Sequence, residues 1–508
     1  MNNSLSQRFA DYKSQAGGRV LILFLLFILA LYEFYNMGIV GYALVCMIPL
    51  SLCFLIVSFQ HKMALFWFIF VMNYTIMGIT RYFFIPIPIT TFTIIPQIFL
   101  LMICIWDIRE HTNARYINMM WLAIMIWSAY IILQLFNRTC QLPISFTSWG
   151  RNFMFYALAF IITYYICTIL VRTPERIMKL LRLWAYMAIV ADFWAWRQQN
   201  IGWDDTEWGW LMSVGARTHI IGGSIRYFSY FSDAANFGCS IAASAIVFYI
   251  VAITAKLKKD KILFFIAAIF STYGFFASGT RTALVCFMAG VFLYVILSKS
   301  FKIAVPVMVL GALFYGFLAF TDIGQGNMQI RRMRSAFNKN DASASVRDIN
   351  KAALAKYLQD APFGMGFNVD EDNVPANHKY KKVYETSNDS TYVFMWQRVG
   401  IIGAVLFGIV NGMILIGGCI ITMFRLKSKK CIGIAAAMCC AFIAIQLAGY
   451  ANHILIQYPN LLLFYGGMAI VYQLPYIEKE FTIYENKLFA EQEERKRLKL
   501  EKKRLSRL

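Results

Sequence analysis

The stretch FFASGTRTALVCF, Phe275–Phe287, puts one arginine, Arg281, inside an apolar run that carries no other charge from Ile262 to Ser298. A bilayer is crossed by roughly 20 apolar residues, so this run accommodates two spans, centred near residues 269 and 289, with Arg281 in the short connection between them. The same texture extends over the 508 residues, of which 59% are apolar and 15% charged. Unpaired backbone groups are prohibitive in lipid, which leaves helices or a closed barrel, and long runs without alternation exclude the barrel. The expected fold is an all-α polytopic membrane protein with about 14 transmembrane helices and one long, partly helical outer loop.

The spans are centred near residues 27, 48, 71, 99, 126, 161, 189, 246, 269, 289, 310, 408, 440 and 465. They divide the chain into an N-terminal segment (1–18), helices 1–11 (19–320), a loop (321–390), helices 12–14 (391–475) and a basic tail (476–508). No cleavable signal is evident, because Val20 to Tyr35 is not followed by a small-residue cleavage site.

Placing the 48 Lys and Arg residues on alternate sides assigns 30 to the side of the termini and 18 to the other, ten of these in the long loop. Long loops are largely exempt from the positive-inside rule, so the comparison is 30 against 8. Both termini are expected in the cytoplasm and the loop outside. The formal charge of +21 follows from this bias and from the tail EERKRLKLEKKRLSRL, which suits a solvated helix near anionic membrane lipids. No aromatic residues interleave these charges, so a nucleic-acid partner is not expected. The eleven cysteines lie in or beside apolar spans except Cys140, and neither a disulfide framework nor a metal spacing is present.

The eight basic residues in the short outer connections and span ends are Arg81, Arg138, Arg151, Arg197, Arg217, Arg226, Arg281 and Arg398, with no lysine among them. Arginine presents a planar fork of donors matched to phosphate oxygens. Some of these arginines are expected to snorkel or to pair with Asp204, Asp205 or Glu207. Arg281 has no neighbouring acid and opens a helix whose N-terminal amides also favour an anion. Arg226 follows it as a candidate. Phosphate at the outer surface, joined to an apolar remainder, describes a polyprenyl pyrophosphate.

Four stretches carry a family resemblance: RYFSYFSDAANFG (226–238), SGTRTAL (278–284), SASVRDINKAALAKYLQDAPFGMGF (343–367) and NDSTYVFMWQRVGIIG (388–403). In this order, around a long outer loop, they resemble the O-antigen polymerase and O-antigen ligase superfamily. That resemblance implies periplasmic transfer of a glycan from undecaprenyl pyrophosphate to an acceptor glycan hydroxyl at the bacterial inner membrane, without metal or cofactor. It assigns the pyrophosphate to Arg226 and Arg281.

Ligases carry His-Asn eleven residues before the first glycine of the last block, and here that position is Asp389, followed by Ser390. Asp389 is thus the expected base, with a helix N-cap as its structural reading; His378, in the same loop, is the second candidate. This departure leans towards a polymerase. Arg347, Asp233 and Tyr392 are possible substrate contacts, Asp233 alternatively pairing with Arg226 at i, i+7 if that segment is helical. A ligase acting on lipid A core is the alternative within the superfamily, and a lipid-linked oligosaccharide flippase the alternative outside it. The polar features gather on one face, which favours an enzyme over a transporter.

Overall fold

A computed structural model describes residues 59–83, 88–108, 115–221, 223–299, 301–326, 328–334, 342–388 and 390–505, with isolated residues between 25 and 35. The chain divides into two compact units, Met1–Phe66 and Trp67–Leu508. In the first, Leu25, Phe27, Leu31 and Tyr35 are helical and exposed, as lipid-facing side chains are. The spans expected near residues 27 and 48 lie largely outside the described residues.

Helix α1 (Lys62–Tyr82) crosses the unit boundary and leads to α2 (Ile89–Ile108) and α3 (Met119–Leu133). Next come α4 (Phe146–Leu170), with a π turn at Met154–Leu158, and α5 (Pro174–Asn200). Two short helices, α6 (Asp205–Trp210) and α7 (Ala216–His219), precede a small antiparallel hairpin of β1 (Ile220–Ile221) and β2 (Ser224–Ile225). The bundle continues with α8 (Ala234–Thr254), α9 (Lys258–Ala277), α10 (Arg281–Ser298) and α11 (Phe301–Phe320). The long loop contains α12 (Met328–Arg334), α13 (Ala342–Tyr357) and α14 (Lys381–Glu385), and α15 (Thr391–Ile420), α16 (Lys429–Ala451) and α17 (Gly466–Leu505) close the chain.

Among the described residues nine helices are long and apolar enough to cross a membrane, fewer than the about fourteen expected. Helices α2 and α11 hold shorter apolar stretches among the described residues, Phe92–Ile105 and Gly311–Phe320. Helix α5 opens with PERIMKLLR, whose charges dilute an otherwise buried face.

The core centres on α8, which is buried along nearly its whole length and packs against α5, α9, α10 and α16. Small residues make this possible: CSIAASA leaves room for neighbouring backbones to approach. Polar groups inside the bundle find one another. Tyr392 OH donates to Gln446 Oε1 (2.9 Å), Gln446 Nε2 donates to Tyr465 OH (3.0 Å), and Tyr465 OH donates to Asn411 Oδ1 (2.6 Å). Tyr392 therefore ties α15 to α16 and to the turn that starts α17.

The long loop has its own apolar core, in which Leu354, Leu358, Met365, Val374 and Val383 pack with Cys140 from the α3–α4 connection. It docks where α15 breaks. Gly400 adopts φ 70°, ψ −178° inside the helix, conformational space open essentially to glycine alone. The break deprives the carbonyls of Gln397 and Arg398 of helical donors, and they accept from Met365 N (2.9 Å) and Gly366 N (2.7 Å). Ile402 N in turn donates to Pro362 O (3.3 Å). Gly364, at φ 71°, lies so close to Gly400 N that neither position accepts a side chain. Arg398 is buried beside this joint, paired with Glu371 and lying over the rings of Tyr384 (5.1 Å) and Phe394 (5.6 Å).

Candidate functional site

The N-termini of three long helices, α8, α10 and α15, lie at the loop end of the bundle, and helix N-termini favour anions. Asp233 caps α8, accepting from Ala235 N (2.8 Å) and Asn236 N (2.9 Å). Residues 226–233 form an irregular segment, so the i, i+7 pairing with Arg226 expected of a helix does not arise. Ser390 caps α15 by accepting from Val393 N (3.4 Å). Thr280 occupies the N-cap position of α10 without capping it, because its hydroxyl donates to Ala234 O (2.8 Å) and accepts from Arg226 Nη2 (2.7 Å). The first-turn amides of α10 are thus left without a side-chain cap.

Arg226 leaves the hairpin and crosses to the α9–α10 turn. Besides Thr280, it donates from Nε to Ser278 O (3.4 Å) and from Nη1 to Thr218 O (3.1 Å). These contacts use three of the five N–H groups of a guanidinium. Arg281 opens α10 one residue beyond Thr280. A third arginine joins them from the long loop: Arg332, on α12, donates from Nε to Gly279 O (3.0 Å). Gly279, at φ 58°, lets the turn pass between the Arg332 and Arg226 side chains. Burial, and next the positive charge of Arg332, push the Arg226 guanidinium down from 12.5 to about 10, with Asp233 opposing and Arg281 adding to the push. Mutual repulsion of this kind is relieved by an anion.

His219 stiffens the support. Its Nδ1 donates to Gly215 O (3.0 Å), its Nε2 accepts from Ala234 N (3.1 Å), and its backbone carbonyl accepts from Arg226 N (2.9 Å). Burial lowers its pKa from 6.5 to about 4, the Gly215 hydrogen bond opposing and the charge of Arg226 adding. Other arginines serve the scaffold. Arg197 pairs with Glu207 (2.7 Å) and Asp204 (3.4 Å), and Arg81 lies against Trp210 and Phe228 (both 4.4 Å) while donating to Ser229 O (3.1 Å). Trp203 stacks on Tyr227 (5.8 Å), so within WDDTEWGW it is Trp208 that is exposed.

The remaining candidates surround the start of α15. Asp389 lies outside the described residues. Its neighbours are fixed: Asn388 Nδ2 donates to Gln397 Oε1 (2.7 Å), Ser390 Oγ donates to Gly449 O (3.1 Å), and Thr391 N donates to Asn452 O (3.3 Å). Arg347 borders a small cleft with Lys351, Ser387, Ser390 and Tyr450. His378 has both ring nitrogens in backbone contacts, Nδ1 accepting from Tyr380 N (3.3 Å) and Nε2 donating to Cys140 O (2.9 Å).

The 452–460 segment connects the two halves of this face. Besides Asn452 at α15, Ser232 Oγ lies 2.9 Å from Gln457 Oε1, and Asn236 Nδ2 donates to Tyr458 O (2.9 Å) at the start of α8. Arg332 has one mark in the sequence, the basic run IRRMR within the long loop; the 452–460 segment has none.

The chain is a multi-pass helical membrane protein with an arginine cluster beside helix N-termini at one end of its bundle. Residues 266–408 match the family model described as O-antigen ligase. No curated protein matches the chain. The matched segment runs from α9 into α15 and contains Arg281, Arg332, the long loop and the Gly364–Gly400 joint, while Arg226 precedes it. This supports the O-antigen ligase and polymerase superfamily and a glycosyltransferase-like role in polysaccharide chemistry on lipid-linked glycans.

Proposed function

We propose that the protein is a surface-polysaccharide polymerase of the bacterial inner membrane, transferring a glycan from undecaprenyl pyrophosphate to a hydroxyl of an acceptor glycan on the periplasmic face. The acceptor oxygen attacks the anomeric carbon while the bond from that carbon to the pyrophosphate oxygen breaks, its electron pair leaving with the lipid pyrophosphate. Arg226, Arg281 and Arg332 hold the pyrophosphate and offset the charge that grows on it; single donors in such positions are worth about 3 kcal/mol. The acceptor proton passes to Asp389, which follows Asn388 and precedes the cap of α15. His378 ranks second, because accepting a proton would require it to release a backbone contact. Arg347 contacts the acceptor beside Ser390, whereas Asp233 and Tyr392 act through the helices they hold. Both termini are cytoplasmic and no metal takes part.

The convergence of Arg226 and Arg332 on the turn that starts α10 carries this reading. Replacing Arg226 or Arg281 by lysine is expected to abolish polymerisation with the protein still inserted in the membrane; full activity in both variants would remove the reading's main support. The name of the matched family favours a second reading, transfer to lipid A core. Glycan elongated on undecaprenyl marks a polymerase, and glycan on lipid A core marks a ligase.

A further inference from the structure

A sizeable cavity lies at the opposite end of the bundle. It encloses about 410 Å³ between the first half of α5, the α8–α9 turn and the part of α17 beyond Tyr484. Along α9, Asp260 at this cavity and Ser278 at the arginine cluster are eighteen residues apart, or about 27 Å at the helical rise.

An ion pair borders the cavity: Arg182 donates from Nε (2.8 Å) and Nη2 (2.9 Å) to the two carboxylate oxygens of Asp260. Lys259 and Glu491 also line it, with Leu257, Leu263 and Leu488 as apolar walls. Among the residues that line it, charges of the two signs are equal in number. A phosphorylated anion such as a nucleotide is poorly matched by a balanced site, whereas a neutral headgroup with separated charges matches it.

The cavity also continues into a lipid-facing surface. Tyr186, which lines it, begins an exposed row on α5 with Val190 (50%) and Phe193 (53%). Leu263 lies beside the exposed Ile262, Phe265 and Ile266 of α9. Such rows are where acyl chains lie.

We propose that this cavity binds the headgroup of a zwitterionic phospholipid with a primary ammonium, phosphatidylethanolamine in class. The phosphate sits toward Lys259 and the Arg182 guanidinium, and the ammonium donates to Glu491. Glu491 can accept hydrogen bonds from a primary ammonium but none from the donorless trimethylammonium of phosphatidylcholine. The lipid would join the C-terminal helix to α5 and α9 across the membrane boundary.

Native mass spectrometry of the full chain, titrated with phosphatidylethanolamine, phosphatidylglycerol or phosphatidylcholine, tests this. Phosphatidylethanolamine is expected to bind about tenfold more tightly than either of the others. Leu488→Trp, which fills the cavity, is expected to remove that preference, and Glu491→Lys to shift it to phosphatidylglycerol. Equal binding of the three lipids, or an unchanged preference in Glu491→Lys with unchanged melting temperature, would overturn the proposal.

Discussion

Arg226 is held by a hydroxyl and two carbonyls with no carboxylate among them, so its charge stays available to a ligand. Thr280 is the contact most easily edited. Thr280→Val keeps the shape but removes the partner of Arg226 Nη2, and transfer is expected to fall about tenfold, in line with one lost charge-assisted hydrogen bond. An unaltered rate in a quantitative elongation assay would show that Thr280 does not position the arginine. His219 gives a pH signature. Its folded pKa of about 4 lies below its ordinary 6.5, so the folded state binds fewer protons and its contribution to stability, full above 6.5, is lost as pH falls towards 4. Melting temperatures measured from pH 7 to pH 4 should therefore drop, and His219→Gln should flatten that drop. Of these residues Arg226 and Arg281 were legible in the sequence, Arg281 as the single charge of a long apolar run and both through the stretches that carry the family resemblance. Arg332 was not, because one long loop holds ten basic residues and sequence alone does not say which of them folds back.

At the scale of elements, the decisive joint is between α15 and the FGMGF turn. The glycines of APFGMGF and of RVGIIG stand in separate stretches of the sequence; in the fold they form one joint, a broken helix whose orphaned carbonyls are satisfied by the turn of another segment. Gly400→Ala combines a disfavoured backbone region, costing of order 1–3 kcal/mol, with a clash against Pro362 and Gly364. The expected outcome is rapid proteolysis between residues 358 and 390 in a protein that still inserts in the membrane. Resistance equal to that of the unaltered protein would mean that the joint is not what secures the loop. The helix at Ala342–Tyr357 was legible from its amphipathic pattern. The break at Gly400 was not, because a glycine in an apolar run has no sequence mark that separates close packing from a change of φ.

For the whole molecule, the apolar runs from residue 62 onward became helices among the described residues, and charge in α5 keeps that helix from qualifying as a span. On the proposed topology, the tail and the arginine cluster lie on opposite sides of the membrane. Single cysteines introduced at exposed positions in α17 and in α13, labelled by a membrane-impermeant thiol reagent in intact cells after outer-membrane permeabilisation, should react in α13 and stay protected in α17.

The most direct measurement is a structure of the protein with an undecaprenyl-pyrophosphate analogue. The diphosphate should lie between Arg226, Arg281 and Arg332 at the first turn of α10. A diphosphate bound elsewhere, with these guanidiniums still turned to the protein, would contradict the account.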